Sequence, residues 1–217
     1  MAPVFAYWDI RGLAEPARLL LEYNGTKFED KQYVCGPAPD YDKSCWFDIK
    51  ADMGLDFPNL PYFIDGDIKI TQSNAIMRYI GRKNDMCGKT ESERVRVDIM
   101  ENQLMDFRNG WVMLCYREFD TKKDEYLKKL VGTLKQFSDF LGTNKWLAGE
   151  NLTFPDFIFF ELLDQHLLLD GTLLKDHKNL QDYMQRFKDL EPIKAYWASD
   201  RFKKLPINNK MAKFGNK

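Results

Sequence analysis

The chain of 217 residues has little of what metal and redox chemistry usually requires. It contains two histidines, His166 and His177, and four cysteines, Cys35, Cys45, Cys87 and Cys115. The cysteines lie 10, 42 and 28 residues apart, without the close pairs of a zinc site or a redox CxxC. The histidines are too few and too far apart in sequence for a metal cluster, so no metal is expected and both read as surface or packing residues. A reducing, cytoplasmic compartment is the default for such cysteine usage. No apolar run approaches a membrane span. Residues 1–12, MAPVFAYWDIRG, lack a basic n-region and are interrupted by Asp9 and Arg11, so they do not read as a secretory signal. Net charge is also lacking: 32 basic against 33 acidic residues give −1, and no global field favours nucleic acid or an anionic membrane. Lys203, Lys204, Lys210, Lys213 and Lys217 read as a solvated tail.

What the chain does have is core-forming material. It is 44% hydrophobic and 14% aromatic, enough for one large domain or two small ones. Two grammars divide it. Residues 1–83 alternate strand and helix signals: 4–8 as a strand, 15–23 as a helix, 27–33 as a strand, then a loop at 34–43 broken by Gly36, Pro37 and Pro39, a helical segment, a hairpin and a closing helix. That order, β-α-β then α-β-β-α, is the order of a thioredoxin-like domain with a mixed four-stranded sheet. Residues 84–90 form a polar linker containing Gly88, and strand signals stop after it. Segments 91–118, 124–141, 154–169, 180–190 and 192–199 read as helices, making residues 91–217 an all-helical domain. The fold class is therefore α/β plus all-α. Thr153 and Asp156 stand at the N-cap and N3 of the third of these helices, a variant of the capping box that contributes about 1 kcal/mol. It is a folding device without assigned chemistry.

The stretch 57–73, FPNLPYFIDGDIKITQS, concentrates the functional signals. Pro61 enters a strand without a ladder donor, which extends Leu60 and leaves its N–H and C=O to pair with an extended ligand. The Asp65-Gly66 pair between two strand-like runs is a strong hairpin signal. Thr71, Gln72 and Ser73 open a helix whose apolar positions Ile76, Met77 and Ile80 recur at helical spacing. Free N–H groups at such a start attract a carboxylate. Residue by residue, a plain helix cap by Thr71 or Ser73 is the commoner arrangement.

Taken together, the thioredoxin-like unit without CxxC, the PNLPY segment before a hairpin, the TQS helix start and the helical partner domain resemble the cytosolic glutathione transferases. The strings YWDIRG (7–12), RLLLEY (18–23), GPAPDYD (36–42), LDFPNLPY (55–62), ITQSNAI (70–76) and MLCY (113–116), with the extra loop before Trp46, look like the mu class across essentially the whole chain. The resemblance implies conjugation of the thiolate of reduced glutathione, a co-substrate and not a cofactor, to small hydrophobic electrophiles in detoxification. It implies that the Leu60–Pro61 bond is cis. Tyr7 matches the catalytic tyrosine, whose phenol stays protonated at neutral pH and can donate to the thiolate sulfur. Trp8, Lys43, Trp46, Lys50 and Asn59 match positions at the glycine end of glutathione, with lysine at 43 where the family usually carries arginine and its bidentate grip. The backbone of Leu60 matches the pairing to the cysteinyl part, Gln72 and Ser73 the γ-glutamyl end, and Asp106 a group reaching glutathione in the other subunit of a homodimer.

For the electrophile, the resemblance implies Tyr116 as a hydrogen-bond donor and Leu13, Asn109, Met113, Asn208 and Asn209 as pocket lining. The Asn109-Gly110-Trp111 trio departs from familiar members, and Gly110 is expected to interrupt its helix. Phe57 resembles an aromatic key into the partner subunit, while Arg78, Arg82, Asp98 and Glu101 match charged interface positions. Two other readings compete: a non-catalytic ligand carrier on the same fold, and a cysteine-based thiol-disulfide oxidoreductase, which lacks a cysteine near Tyr7.

Overall fold

The computed structural model describes residues 2–217. Strand β1 (Val4–Trp8) lies inside a four-stranded sheet of order β2-β1-β3-β4, and its middle residues Phe5, Ala6 and Tyr7 are all buried. It runs parallel to β2 (Glu29–Tyr33), with Val4 opposite Glu29 and Trp8 opposite Tyr33. A parallel neighbour demands a crossover, and α1 (Glu15–Tyr23) supplies it, Pro16 in its first turn needing no helical donor. Strand β3 (Tyr62–Asp65) is antiparallel to β1 and to β4 (Ile68–Thr71). The β3–β4 turn pairs Asp65 with Ile68 around Gly66, whose φ of 62° suits a residue without a Cβ. The loop after β2 carries the short α2 (Ser44–Phe47) and a 3₁₀ turn (Lys50–Met53), and α3 (Ser73–Lys83) closes the thioredoxin-like unit.

The remainder is helical: α4 (Glu91–Met113), α5 (Phe119–Leu141), α6 (Phe154–Leu169), α7 (Lys178–Lys188) and α8 (Glu191–Trp197). Thr90, read as part of a polar linker, also caps α4. Its hydroxyl accepts from Glu93 N at 3.2 Å, and Glu93 Oε2 returns the bond to Thr90 N. Gly110 does not interrupt α4. The helix continues to Met113 and widens into a π-helical turn (Leu114–Glu118), the kind of local irregularity often found at functional positions. Helix α5 begins five residues earlier than its apolar periodicity suggests and folds back along α4, placing Tyr126 against Trp111 and Arg96 3.9 Å from the Phe140 ring.

Helix α6 is the hub. Phe154, Phe157, Phe159 and Phe160 are fully buried on it, and so are Asp156, Glu161, Gln165 and His166. Polar groups at such depth must be paired, and each is. Asp156 accepts from Leu147 N and Thr153 N, both at 2.9 Å, so the capping group also pins the preceding loop. Burial pushes its carboxyl up to about 6, with these bonds opposing the shift. His166 stacks between Phe107 and Trp111 and bonds Tyr126 Oη at 2.7 Å, and burial lowers its pKa to about 4. Arg11, from the loop after β1, reaches Glu161 through Nε (2.9 Å) and Nη2 (2.6 Å) and Asp164 through Nη2 (2.6 Å).

The C-terminal lysines are not a simple solvated tail. Arg11 N and Gly12 N donate to Pro206 O and Ile207 O, each at 3.0 Å, and Lys213 N donates to Cys115 O at 2.7 Å. Lys210 Nζ reaches Cys35 O at 2.6 Å, while Lys203 pairs with Asp9. Satisfying backbone groups of the loop after β1 draws the tail across both halves of the molecule.

Candidate active site

Tyr7 sits near the end of β1 with 7% of its surface exposed. Its hydroxyl has no hydrogen-bond partner among the described residues, so its proton is available to a ligand. The ring is held by backbone: a Cβ on Gly12 would lie 2.8 Å from Tyr7 Cε1 and 3.1 Å from its Oη, and Gly12 has φ +43°. Only glycine lets the chain pass that close in that conformation.

The segment after β2 and the 57–61 loop meet the sheet beside the end of β1, where Trp8 lies opposite Tyr33 and Ala6 opposite Tyr62. Trp46 is 2% exposed, stacked on Tyr62 and tilted against Tyr33, while the Tyr33 and Tyr62 hydroxyls bond each other at 3.1 Å. This aromatic packing fixes α2, and with it Lys43 before and Lys50 after. Lys50 Nζ lies 4.9 Å from the Phe47 ring centre, and Trp8 packs edge-on to Tyr33. The Leu60–Pro61 bond is cis. Leu60 N–H, expected to be free, is instead taken by Asn59 Oδ1 at 2.9 Å. With no strand alongside, the neighbouring side chain satisfies the donor, and only the Leu60 carbonyl stays available for pairing.

The start of α3 departs from an ordinary cap. Neither Thr71 nor Ser73 makes a side-chain capping bond, and Gln72, at the N-cap position, has φ 74° and ψ 113°. A non-glycine residue there costs about 1–3 kcal/mol and persists where surrounding structure enforces it, often at binding sites. The first-turn N–H groups are therefore left to a ligand, and the partial positive charge of the helix end favours an anion.

Leu13, Ser73, Met77, Leu104 and Arg108 line one cleft between α1, α3 and α4. Tyr116 stands in the π-turn. Its oxygen accepts from Asn209 N at 2.8 Å, which leaves its own proton to donate, and burial pushes its pKa up to about 12. The tail contributes backbone here more than side chain: Asn208 Nδ2 turns to Phe214 O and Asn209 Oδ1 to Lys210 N. Asn109 and Met113 are exposed on α4, and Asp106 lines a separate pocket of about 340 Å³ with Phe107, Gly110 and Tyr126. A pocket of about 350 Å³ around Arg18, Glu22 and Tyr196 holds none of the expected site residues.

Phe57 is 74% exposed, as are large parts of Val95 and Ile99, one helical turn apart on α4. Arg78 pairs with Asp98 at 2.9 Å and with Glu101, while Arg82 is exposed. Charge and apolar surface thus sit on neighbouring segments.

Sequence reading passed over Arg108. Its Nη1 bonds Gly12 O at 3.2 Å, and it pairs with no carboxylate among the described residues. Burial lowers its pKa below the usual arginine range, and negative charge at Tyr7 or Tyr116 would raise it again. The signal was present: Arg108 lies four residues after the buried Leu104 and next to the buried Phe107, at the margin of the apolar stripe of α4.

Comparisons place these features among known proteins. The pattern described as "Glutathione S-transferase, N-terminal domain" matches residues 3–82, and that described as "Glutathione S-transferase, C-terminal domain" matches residues 105–200. The human protein "Glutathione S-transferase Mu 3" is 58% identical over 99% of this chain and 96% of its own length. "Glutathione S-transferase Mu 5" of Mus musculus is 57% identical over the same shares. The solved pi-class glutathione S-transferase of Onchocerca volvulus superposes with a TM-score of 0.87 at 32% identity, covering 98% of this chain and 100% of that one.

Arg108 is expected to act on turnover more than on binding. Arg108→Met should lower kcat several-fold with little change in glutathione affinity, and Arg108→Lys should recover part of the loss. Steady-state kinetics beside calorimetric binding separates the two, and an equal loss in both, with no recovery by lysine, would reduce Arg108 to a scaffold role.

Proposed function

The chain belongs to the mu class of the glutathione S-transferases, and from that membership we propose that the cluster around Tyr7 activates glutathione for attack on hydrophobic electrophiles. The protein is a transferase that uses reduced glutathione as co-substrate. The observation that carries the proposed site is the unpartnered Tyr7 hydroxyl in a domain that also carries a cis-proline loop and an uncapped helix start.

A free thiol with a pKa near 8.5 is only a few per cent thiolate at neutral pH. A hydrogen bond to a charged group contributes about 1.5–3 kcal/mol, and one pKa unit corresponds to about 1.4 kcal/mol. Donation from Tyr7 therefore lowers the thiol by about one to two units, which makes roughly a quarter to three quarters of it thiolate at pH 7. The γ-glutamyl carboxylate takes the free N–H groups at Gln72 and Ser73. The cysteinyl backbone donates to the Leu60 carbonyl, and Asn59 can turn from Leu60 N–H toward the ligand. Trp8, Lys43, Trp46 and Lys50 receive the glycine carboxylate. Tyr116, its oxygen already held by Asn209 N–H, directs its proton at negative charge developing on the electrophile. Leu13 and Met113 supply apolar walls, and Asn109 and Asn209 border them.

Residues 1–83 and 91–217 act as two domains joined by 84–90, with glutathione held by the first and the electrophile by the second. The protein acts in the cytoplasm in detoxification, a reading supported by four unpaired cysteines. It acts as a homodimer. Phe57 enters the partner subunit, Val95 and Ile99 are covered, Arg78, Arg82, Asp98 and Glu101 border the contact, and Asp106 reaches the glutathione of the partner.

Tyr7→Phe should lower kcat/KM at pH 7 by about 8- to 25-fold, the loss of thiolate fraction that a rise of one to two pKa units brings at that pH, and should recover activity toward alkaline pH. An unchanged pH–rate profile with an aromatic halide would remove Tyr7 from the chemistry. Sedimentation of Phe57→Ser should show monomer at concentrations where the wild type is dimeric; an unaltered dimer would show that the contact does not depend on this residue.

A further inference from the structure

Two cysteines that are distant by motif standards meet at the neck of one loop. Residues 36–44 leave β2 and return to α2, and the neck is closed by Gly36 N donating to Asp42 O at 2.7 Å. The contact is close enough that a Cβ on Gly36 would lie 2.8 Å from Asp42 N. Cys45, on the far side, is exposed, and its sulfur lies 3.4 Å from Val34 O, the carbonyl of the peptide unit that leads into Cys35. Standard trans-peptide dimensions then place the Cys45 sulfur within about 6 Å of Cys35 Cα. Cys35 is buried with its sulfur 3.5 Å from Tyr41 O, inside the same neck. A disulfide between them would require the short α2 to move toward this neck.

The surroundings suit exchange chemistry. Cys45 is the exposed thiol among the four, whereas Cys115 is sealed in the core with its pKa pushed up to about 12, and burial also raises Cys87. Burial raises Cys35 too, but Lys43 and Lys210 oppose it from nearby. Both thiols adjoin the glutathione machinery: Lys43 and Trp46 flank Cys45 in sequence, and the Cys35 carbonyl holds Lys210, whose neighbour Asn209 holds Tyr116.

We propose that Cys45 and Cys35 form a redox-modification site that reads glutathione disulfide and closes the glutathione cradle by an internal disulfide. The Cys45 thiolate attacks one sulfur of glutathione disulfide. The S–S bond breaks, and one glutathione leaves as thiolate and takes up the proton Cys45 released. The Cys35 thiolate then attacks the Cys45 sulfur and expels the second glutathione, which takes the proton of Cys35. Two protein thiols are oxidised to one disulfide while one glutathione disulfide is reduced to two glutathione molecules. Drawing Cys45 toward Cys35 turns α2 and displaces Lys43 and Trp46, so glutathione binding falls. This consequence rests on the proposed glutathione site; the covalent step does not.

The test treats the full-length protein with glutathione disulfide and follows intact mass, peptide mapping and calorimetric binding of S-methylglutathione. Wild type should lose two hydrogens, yield a Cys35–Cys45 cross-linked peptide, lose most of its S-methylglutathione affinity and regain it with dithiothreitol. Cys35→Ala should stop at a glutathione adduct on Cys45. Cys45→Ser should stay uncross-linked and bind as before. Absence of modification at Cys45, an adduct at Cys45 that Cys35 never resolves, or a cross-link with unchanged affinity would each overturn the proposal. Failure of the reduced wild type to bind S-methylglutathione would count against the glutathione site, and the mass readout would still decide the covalent step.

Discussion

The buried contact between Arg11 and helix α6 is the constraint on which the site depends. An arginine brought into a phenylalanine-rich core is costly unless its guanidinium donors are filled, and Glu161 and Asp164 fill Nε and Nη2 while the Lys204 carbonyl takes Nη1. In return the loop after β1 is fixed to the helical half of the molecule. Gly12, next in sequence, is fixed with it, pressed on the Tyr7 ring on one side and bonded to Arg108 through its carbonyl. Glu161 also accepts from Gln165, and Gln165 accepts from Trp111 of α4, so one polar chain sets the distance between the phenol of the first half and the helix that carries Tyr116. Removing Glu161 would leave Nε of the buried guanidinium without a carboxylate and loosen this spacing together with the fold.

Around that fixed point the site is assembled mainly from unfinished backbone. The α3 start lacks a side-chain cap, Gln72 is held at positive φ, and the Leu60 carbonyl faces no strand. Each would be a local defect in an ordinary protein. Together they match the needs of a small anionic peptide, which presents carboxylates and amide groups in an extended chain. In the proposed site the sulfur then falls to side chains, and the arrangement is sparse: one phenol donor at Tyr7, a half-buried guanidinium at Arg108 and a second phenol at Tyr116.

Much of this was legible in the residues, and what was not has physical causes. The limits of β1, α1 and α6 follow from a short apolar run, a first-turn proline and a capping box, all local signals. The 57–73 stretch declared its turn through Asp65-Gly66, and its cis bond through resemblance alone, since proline spacing does not determine isomer state. The vacant α3 cap ran against the local preference of Thr71 and Ser73, because tertiary packing overrides a bond worth about 1 kcal/mol. Arg108 was hidden by its charge: an arginine on an apolar stripe reads as an interruption until Gly12 O and the two phenols are seen beside it. The Cys35–Cys45 juxtaposition and the tail contacts come from long-range closure, to which neither periodicity nor motif spacing is sensitive.

The central claim is that this scaffold holds the glutathione sulfur as a thiolate at neutral pH. It is tested most directly by titrating the thiolate absorbance of glutathione bound to the wild-type protein. The account predicts a midpoint about one to two units below that of the free thiol. A midpoint equal to that of free glutathione, with the peptide fully bound, would contradict it.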